Sequence, residues 1–341
     1  MIPILRGQYT VHVCTLTYNQ SQYIEDTLRG VAMQQTTFEF VHQVIDDCST
    51  DGEQDVINAY LEREADMAHA EHYDSELAQI IVAKHRKNTN CTFAVYLLKK
   101  NLYNDPRKLT LFASFQEVCK YEALCEGDDY WTDPQKLQKQ VNLLEEDETL
   151  MAVVTNSSLV DAQGKEIQPT FTDNVVKDNV EGRYNLRDFF HVTHHYPTAT
   201  VLYRNSHLEE MKEMRKKLAN PFFGDWTLWI RLHIFGDFYY INKSMAAYRL
   251  NPTSLTHSNF DQRRLGLAKA NFEIIKNVQS VLPEEYNDIK KELDRTDWMW
   301  FQLANAYKHV HKYFQMSYAL LRCFLSNPTY IYKRMTEEKR K

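Results

Sequence analysis

Apolar and polar stretches alternate along the first half of the chain in the order strand, helix, strand, helix. Residues 11–17 (VHVCTLT) form a β-branched apolar run that predicts a buried strand. Ile24, Leu28 and Val31 then recur at the spacing of one helix face. Residues 40–45 predict a second strand, and a second helical pattern follows it. Strands and helices joined by short links are typical of βαβ units and a parallel sheet.

The rest of the chain continues this pattern and then becomes helical. Residues 62–92 are charged and rich in helix-forming residues, and they predict a helix and a connection. Further strands are predicted at residues 94–98, 121–125, 151–155 and 196–203. From about residue 261 the pattern is helical to the end. We therefore predict an α/β domain at residues 1–260 and a helical C-terminal extension at residues 261–341.

Composition and charge narrow the class of protein. The 341 residues are 43% hydrophobic and 25% charged, with a formal net charge of -6. Such values fit a globular domain, and without a basic excess we expect no nucleic-acid partner. No apolar run is long enough for a bilayer, and the N-terminus lacks the features of a signal peptide, so we expect a cytoplasmic protein. The six cysteines are scattered without a CxxC pair, which argues against a zinc site or a disulfide framework.

Two predicted strands end in paired aspartates, Asp46-Asp47 and Asp128-Asp129. Ligands of open parallel sheets bind at the carboxyl ends of strands, so both pairs should face one crevice. Adjacent buried carboxylates repel each other, and a divalent cation relieves that repulsion. Oxygen ligands suit Mn²⁺ or Mg²⁺, which commonly share their coordination with substrate phosphates. The pattern therefore points to a phosphorylated substrate.

Other interpretations of these segments remain open. DDCSTDG at residues 46–52 is also compatible with a turn and a helix cap, whereas EGDDYW at residues 126–131 has no obvious capping role. Neither a P-loop nor a GxGxxG motif is present, which argues against a kinase of that class and a dinucleotide oxidoreductase. The segment HVTHH contains three histidines, His191, His194 and His195. We interpret it as a loop on the side of the site that faces an acceptor substrate, rather than as a zinc site.

Together, several segments resemble family 2 glycosyltransferases with the GT-A fold. The segments are TYNQSQYIEDTL at 17–28, DDCSTDG at 46–52, CEGDDYWTDPQKLQKQV at 125–141, FFGDWTLWIRL at 222–232 and AYRLNPTSLTHS at 247–258. They occur in the family's order, and the resemblance covers roughly residues 8–260. It implies a GT-A-like, mainly parallel central sheet flanked by helices.

The resemblance also implies roles for residues in the first two motifs. Asp47 would contact the nucleobase of a nucleotide-sugar, with Thr17 and Tyr18 nearby. Asp128 would lie near the ribose, and Asp129 would hold Mn²⁺ or Mg²⁺ on the diphosphate. Each of these positions matches the family's pattern in this sequence.

Three later residues are assigned in the same way. Asp225 would be the general base that takes the proton of the acceptor hydroxyl, or a helix N-cap, or both. Arg249 would pair with phosphate or brace its loop. His257 would be a metal ligand or a surface residue, because the position after Arg249, where the family frequently has histidine, is Leu250 here.

The expected activity is inverting transfer of a sugar from a nucleotide-diphosphate donor, expected to be UDP-linked, to a glycan or lipid-linked acceptor in surface polysaccharide synthesis. A Mg²⁺-dependent nucleotidyltransferase and a non-catalytic nucleotide- or glycan-binding protein of the same fold are the alternatives. The basic, aromatic C-terminal helices could also lie at the inner face of the plasma membrane, or simply cap the core.

Overall fold

The computed structural model describes residues 9–103, 105, 107–170, 179–191, 196–220, 222–251 and 260–330. The chain divides into two compact units. One comprises Met1–Leu208 and Phe235–Asn251, and the other comprises Glu209–Ile234 and Pro252–Lys341. Residues 209–234 therefore group with the helical part, although the sequence placed them in the α/β domain. The predicted domain boundary near residue 260 stays a prediction.

The first unit is an α/β sandwich around one sheet. Its described strands are β1 (Val11–Thr17), β2 (Phe40–Asp46), β3 (Glu71–Asp74), β4 (Ala78–Lys84), β5 (Cys91–Leu98), β6 (Tyr121–Leu124), β7 (Tyr130–Trp131), β8 (Leu150–Val160), β9 (Glu166–Gln168), β10 (Gly182–Tyr184), β11 (Val201–Arg204) and β12 (Asp237–Arg249). Its described helices are α1 (Ile24–Ala32), α2 (Glu53–Glu64), α3 (Arg107–Gln116), α4 (Lys136–Glu146) and α5 (Leu186–His191).

The sheet has a parallel centre and antiparallel edges. The strand order is β10-β12-β8-β11-β6-β1-β2-β5-β4-β3, with β7 on β12 and β9 on β8. Strands β6, β1, β2 and β5 run parallel, with Val11 opposite both Phe40 and Tyr121. Strands β4 and β3 add antiparallel at one edge, and β10 adds antiparallel to β12 at the other. The predicted α/β fold with a helix-flanked central sheet is confirmed. The sheet is mixed rather than mainly parallel, because β11 lies antiparallel between β6 and β8 and further antiparallel strands pair at both ends.

Helix α1 packs on this sheet through the face that the sequence predicts. Ile24, Leu28 and Val31 are fully buried in the main core cluster. Gly30 lies on the same helix, where an added Cβ would come within 2.7 Å of the Trp131 backbone nitrogen. Only glycine allows α1 to approach β7 this closely.

The helix predicted within residues 62–92 is wrong beyond the end of α2. Strands β3 and β4 form an antiparallel hairpin there, and β4 pairs with β5. Ala78 and Ile80 are buried against Tyr96 and Leu98 of β5. Packing of this β-branched stretch on the sheet outweighs the helix propensity of the charged residues around it.

The second unit is helical, as predicted for the C-terminal part. Its described helices are α6 (Leu208–Leu218), α7 (Gly224–Phe235), α8 (Phe260–Val281), α9 (Asn287–Leu293), α10 (Asp297–His309) and α11 (Tyr313–Ser326). Leu265 of α8, Leu303 of α10 and Ala319 of α11 share one apolar cluster. Among the described residues, no helix is both long and apolar enough to cross a bilayer.

Candidate functional site

The two acidic pairs lie on either side of the carboxyl end of β1. Strand β1 lies between β2 and β6 in the sheet. The N–H of Asp47 donates to the Thr17 carbonyl at 3.0 Å, and the N–H of Gly127 donates to the Leu16 carbonyl at 3.1 Å. The structure therefore brings the DDCSTDG and EGDDYW segments together at one edge of the sheet, as the strand order predicts.

The protein itself supplies hydrogen-bond donors to the first acidic pair, Asp46 and Asp47. Asp46 is fully buried, and its Oδ1 accepts hydrogen bonds from the Ser49 N–H at 3.0 Å and the Gln54 carboxamide at 2.5 Å. Asp47 is 2% exposed, and its Oδ1 accepts the Leu102 N–H at 2.6 Å. Part of the carboxylate chemistry of this pair is thus used to shape the turn after β2.

Thr17 and Tyr18 end β1 at the same edge. Thr17 is buried, and its hydroxyl lies 2.9 Å from Gln20 Oε1 and also donates to the Glu53 carboxylate. Tyr18 is 47% exposed, so its ring is accessible to a ligand. Of the two, only Tyr18 offers an open surface for a nucleobase.

Glu53 is a residue of this edge that the sequence analysis missed. It is fully buried and accepts hydrogen bonds from the Gln20 N–H at 2.9 Å and the Ser49 hydroxyl at 2.8 Å. Burial raises the pKa of Glu53, and the hydrogen bonds from Thr17, Gln20 and Ser49 oppose that shift. Its position directly after the DDCSTDG motif, in the first turn of α2, is the sequence signal that could have identified it.

Asp129 carries the least compensated charge of the second acidic pair. It is 4% exposed, and its Oδ1 accepts the backbone N–H of Arg249 at 2.9 Å. Burial raises the pKa of Asp129 well above its usual range, and repulsion from Asp128 and Glu126 raises it further. The hydrogen bond and charge of Arg249 offset only part of this. A cation near Asp129 would favour its ionised form.

The loop that carries the second pair is held by the Thr27 hydroxyl and by the close approach of Gly127 to Thr17. The Thr27 hydroxyl of α1 donates to the Asp129 carbonyl at 2.6 Å and lies 3.1 Å from the Gly127 carbonyl. A Cβ on Gly127 would lie 2.2 Å from Thr17 Oγ1 and 2.6 Å from Thr17 Cβ. Glycine is therefore required for the loop to lie directly on the end of β1.

Arg249 braces this loop from β12. Its Nε donates to the Asp128 carbonyl at 2.8 Å, and its Nη2 pairs with Asp26 at 2.9 Å. Its guanidinium lies 4.6 Å from the ring centre of Tyr23 and 5.2 Å from that of Tyr130. The side chain is 2% exposed, so the geometry supports the bracing role, and a phosphate contact stays a prediction.

The donor set at this edge fits a hard divalent cation in its chemistry. Asp128 is half-buried beside Asp129 and accepts the Asn251 carboxamide at 3.2 Å, so both offer carboxylate oxygens. Among the described residues, however, no group of three or more acidic, histidine or cysteine side chains forms a metal-binding cluster. A cation at Asp129 would need further oxygen ligands from substrate phosphate or water. His257, the other predicted ligand, lies outside the described residues.

Asp225, the predicted base, belongs to the second unit. Helix α7 begins at Gly224, so Asp225 is in the first helical turn rather than at the N-cap. It is half-buried, and its Oδ1 accepts the Trp226 N–H at 2.8 Å. Of the HVTHH histidines, His191 ends α5 and is exposed, while His194 and His195 lie outside the described residues. The base and acceptor-side roles stay predictions.

A groove of about 570 Å³ lies at the opposite, amino ends of β2 and β5, between residues 32–37, 85–88 and 135–138. Its polar side chains largely bond to one another and to the backbone. Gln138 accepts the Thr37 N–H at 2.7 Å, and Asn88 donates to the Gln34 carbonyl at 2.7 Å. No carboxylate lines it, so the acidic edge remains the candidate site.

Comparison with known proteins identifies the family that the chain resembles. Residues 12–91, which include β1, α1, β2 and the first acidic pair, match the sequence model of Glycosyl transferase family 2. Uncharacterised proteins of Mycobacterium bovis and Mycobacterium tuberculosis are 27% identical over 257 residues. That alignment covers 74% of this chain but 62% of the relatives, so the chain spans less than two thirds of their length.

Two solved structures are similar to this chain. The mannosyltransferase PcManGT of Pyrobaculum calidifontis, determined with GDP-Man and Mn²⁺, is 14% identical, with a TM-score of 0.50 over 97% of this chain and 80% of that chain. The Staphylococcus aureus protein TarS 1-349, determined with UDP-GlcNAc, is 15% identical, with a TM-score of 0.49 over 93% of this chain and 89% of that chain. At this level of identity, the PcManGT match supports a GT-A-like fold.

Proposed function

We propose that this chain, whose residues 12–91 match the sequence model of Glycosyl transferase family 2, transfers a sugar from a nucleotide-diphosphate donor to an acceptor hydroxyl with inversion. The observation that carries the proposal is the convergence of Asp47, Asp128 and Asp129 around the end of β1. Within it, Asp129 is buried among like charges that raise its pKa. Such an edge suits a cation-neutralised diphosphate better than a neutral ligand.

In this proposal the chain's own residues hold the donor in two places. Tyr18 offers an exposed ring to the nucleobase. Asp47 accepts a hydrogen bond from the nucleobase, and Asp128 lies near the ribose. Asp129, supported by the Arg249 N–H, would hold Mn²⁺ or Mg²⁺. When bound, that cation would supply positive charge for the departing nucleoside diphosphate.

Transfer also needs a group that removes the acceptor proton. An alcohol is a weak nucleophile, and a carboxylate within hydrogen-bonding reach takes its proton as the oxygen attacks the anomeric carbon. We assign this role to Asp225. Attack opposite to the leaving diphosphate gives inversion. The donor is proposed to be UDP-linked and the acceptor a glycan or lipid-linked glycan of a surface polysaccharide.

The decisive experiment incubates the full chain with a panel of nucleotide-sugars, with and without Mn²⁺, and measures release of nucleoside diphosphate. We expect release from at least one donor, dependent on Mn²⁺ and absent in Asp129→Asn. Formation of pyrophosphate from a nucleoside triphosphate and a sugar phosphate would indicate a nucleotidyltransferase. If a donor binds but is not turned over with any of the acceptors tested, the protein would be a non-catalytic binding protein.

A further inference from the structure

Helix α11 packs on the apolar cluster of the second unit through Ala319, with Met316 and Leu320 partly buried against it, but leaves most of its large apolar side chains exposed. Ala319 and Cys323 are fully buried, and Ala319 belongs to the apolar cluster with α8 and α10. Six large apolar side chains of α11 are 51–85% exposed; they are Tyr313, Phe314, Tyr318, Leu321, Phe324 and Leu325. They account for most of the exposed large apolar residues in the described part of the chain.

The exposed side chains form a continuous stripe. Phe314, Tyr318, Leu321 and Leu325 follow one another at intervals of four, three and four residues, which places them on one face of the helix. Phe314 is 85% exposed and Leu325 is 69% exposed, so the two ends of the stripe are as open as its middle. A contiguous apolar surface of this kind indicates a binding surface, whereas single exposed apolar residues do not.

Charge around the stripe indicates what covers it. Helix α11 contains no acidic residue. The described residues 308–330 contain Lys308, Lys312 and Arg322 and no acidic residue, although the whole chain has a formal net charge of -6. The nearby Asp297 is 3% exposed and already paired with Arg295 and Asn327, so it does not offset this charge at the surface. The net charge of helix α11 and of the residues just before it is therefore positive.

We propose that the α11 stripe binds the surface of an anionic lipid membrane, with the apolar side chains in the interface and the basic residues against the headgroups. An apolar helix face with aromatic residues and flanking lysines and arginines has the two features that interfacial helices combine. Each basic residue near an anionic leaflet adds to the attraction. The inference does not rest on the sugar-transfer proposal, since it concerns a different surface and a different ligand.

Vesicle flotation of the full chain tests this proposal. Vesicles of phosphatidylcholine alone are compared with vesicles containing one third phosphatidylglycerol, at low and high salt. We expect binding to the anionic vesicles, weakened by salt because the basic residues contribute through screened charges. Absence of binding to the anionic vesicles would overturn the proposal.

The triple variant Phe314→Ser/Leu321→Ser/Leu325→Ser should weaken that binding more than tenfold, because the buried apolar area is lost. Its matched control, Ile167→Ser/Val180→Ser/Leu267→Ser, removes three exposed apolar side chains elsewhere and should bind as the wild type does. Melting temperatures check that both variants fold. Equal binding by the two variants would contradict the assignment to α11. Sedimentation gives the oligomeric state. If the wild type is a dimer, only the α11 variant is a monomer, and no vesicle binding is seen, then a second copy of the chain covers the stripe.

Discussion

The two acidic strand ends of the sheet look alike in sequence but differ in how the protein accommodates their charge. At the end of β2, Asp46 and Asp47 accept hydrogen bonds from Ser49, Gln54 and Leu102. After β6, Asp129 accepts one backbone hydrogen bond, and its pKa is raised first by burial and then by repulsion from Asp128 and Glu126. Asp46 and Asp47 therefore help to shape the turn after β2, whereas a bound cation would stabilise the ionised form of Asp129.

Paired aspartates at strand ends are therefore not equivalent evidence for a metal. Buried carboxylates are tolerated when donors surround them, and they favour a cation when other carboxylates surround them. In this protein, donors bond to Oδ1 of Asp46 and of Asp47 on one side of β1, although Oδ2 of Asp46 is buried without a partner among the described residues, whereas Asp129 on the other side lies beside two carboxylates.

The largest effect on turnover that leaves donor binding intact should come from a residue that belongs to neither pair. If both pairs serve donor binding, proton removal needs another group, and Asp225→Asn should lower turnover by about 10²–10⁴ while nucleotide and metal affinity stay unchanged. Asparagine keeps the shape and the acceptor for the Trp226 N–H, so the melting temperature should not change. Steady-state kinetics with calorimetry measures both quantities. Near-normal transfer would assign the base to another residue, and a joint loss of stability and turnover would leave a structural role as the simpler account.

Asp47→Ala tests the nucleobase role of the first pair. Loss of a charge-assisted hydrogen bond costs roughly 1.5–3 kcal/mol, so UDP affinity should fall about 10- to 150-fold even without metal. Stability should fall as well, because the buried Leu102 N–H loses its acceptor. Asp47→Asn keeps that acceptor and serves as the control for stability. A dissociation constant for UDP within twofold of the wild type in Asp47→Ala would leave Asp47 with a structural role alone.

Lys136 tests whether the region following the second pair disfavours charge in general. It is fully buried, with Nζ 4.2 Å from the ring centre of Trp131 and 2.9 Å from Gln140 Oε1. Burial lowers the pKa of Lys136 to about 7. Between about pH 7 and the ordinary lysine pKa near 10.4 the unfolded chain binds more protons, so this residue makes the free energy of unfolding rise with pH.

The pH effect appears as a difference between variants. Lys136→Met removes a buried cation and should stabilise the protein at pH 6 by about 1–4 kcal/mol, with a smaller gain at pH 9. Denaturant unfolding at the two pH values measures this. Lys139→Met, on the exposed side of the same helix, is the control and should show no such change with pH. A gain for Lys136→Met that is the same at both pH values would contradict the expected shift.

The sequence predicts the elements that bury a periodic apolar face, and it fails where tertiary packing decides. Val11–Thr17 and the helix face of Ile24, Leu28 and Val31 are found as expected because their patterns are strong. The β3–β4 hairpin was missed, since Ile80 and Ile81 lie among charged residues that favour a helix, and only pairing with β5 selects the strand.

The candidate site was likewise predictable from the sequence only in part. Strand order alone predicts that the two aspartate pairs meet, because consecutive parallel strands end at one edge. The contacts that distinguish the pairs come from residues far along the chain, such as the Arg249 N–H on Asp129 and the Leu102 N–H on Asp47. No local pattern encodes these partners. The close approach of Gly127 to Thr17 is equally invisible before the fold is known.

The central claim is that Asp129, and not the first pair, holds the cation on the donor diphosphate. Calorimetric titration of UDP into wild type and Asp129→Asn, each with and without Mn²⁺, tests it most directly. Asparagine can still accept the Arg249 N–H, and removing a buried, repelled carboxylate should leave the metal-free protein at least as stable. We expect equal UDP affinity without Mn²⁺ and an Mn²⁺-dependent increase in the wild type alone. The same Mn²⁺-dependent increase in Asp129→Asn would contradict the claim.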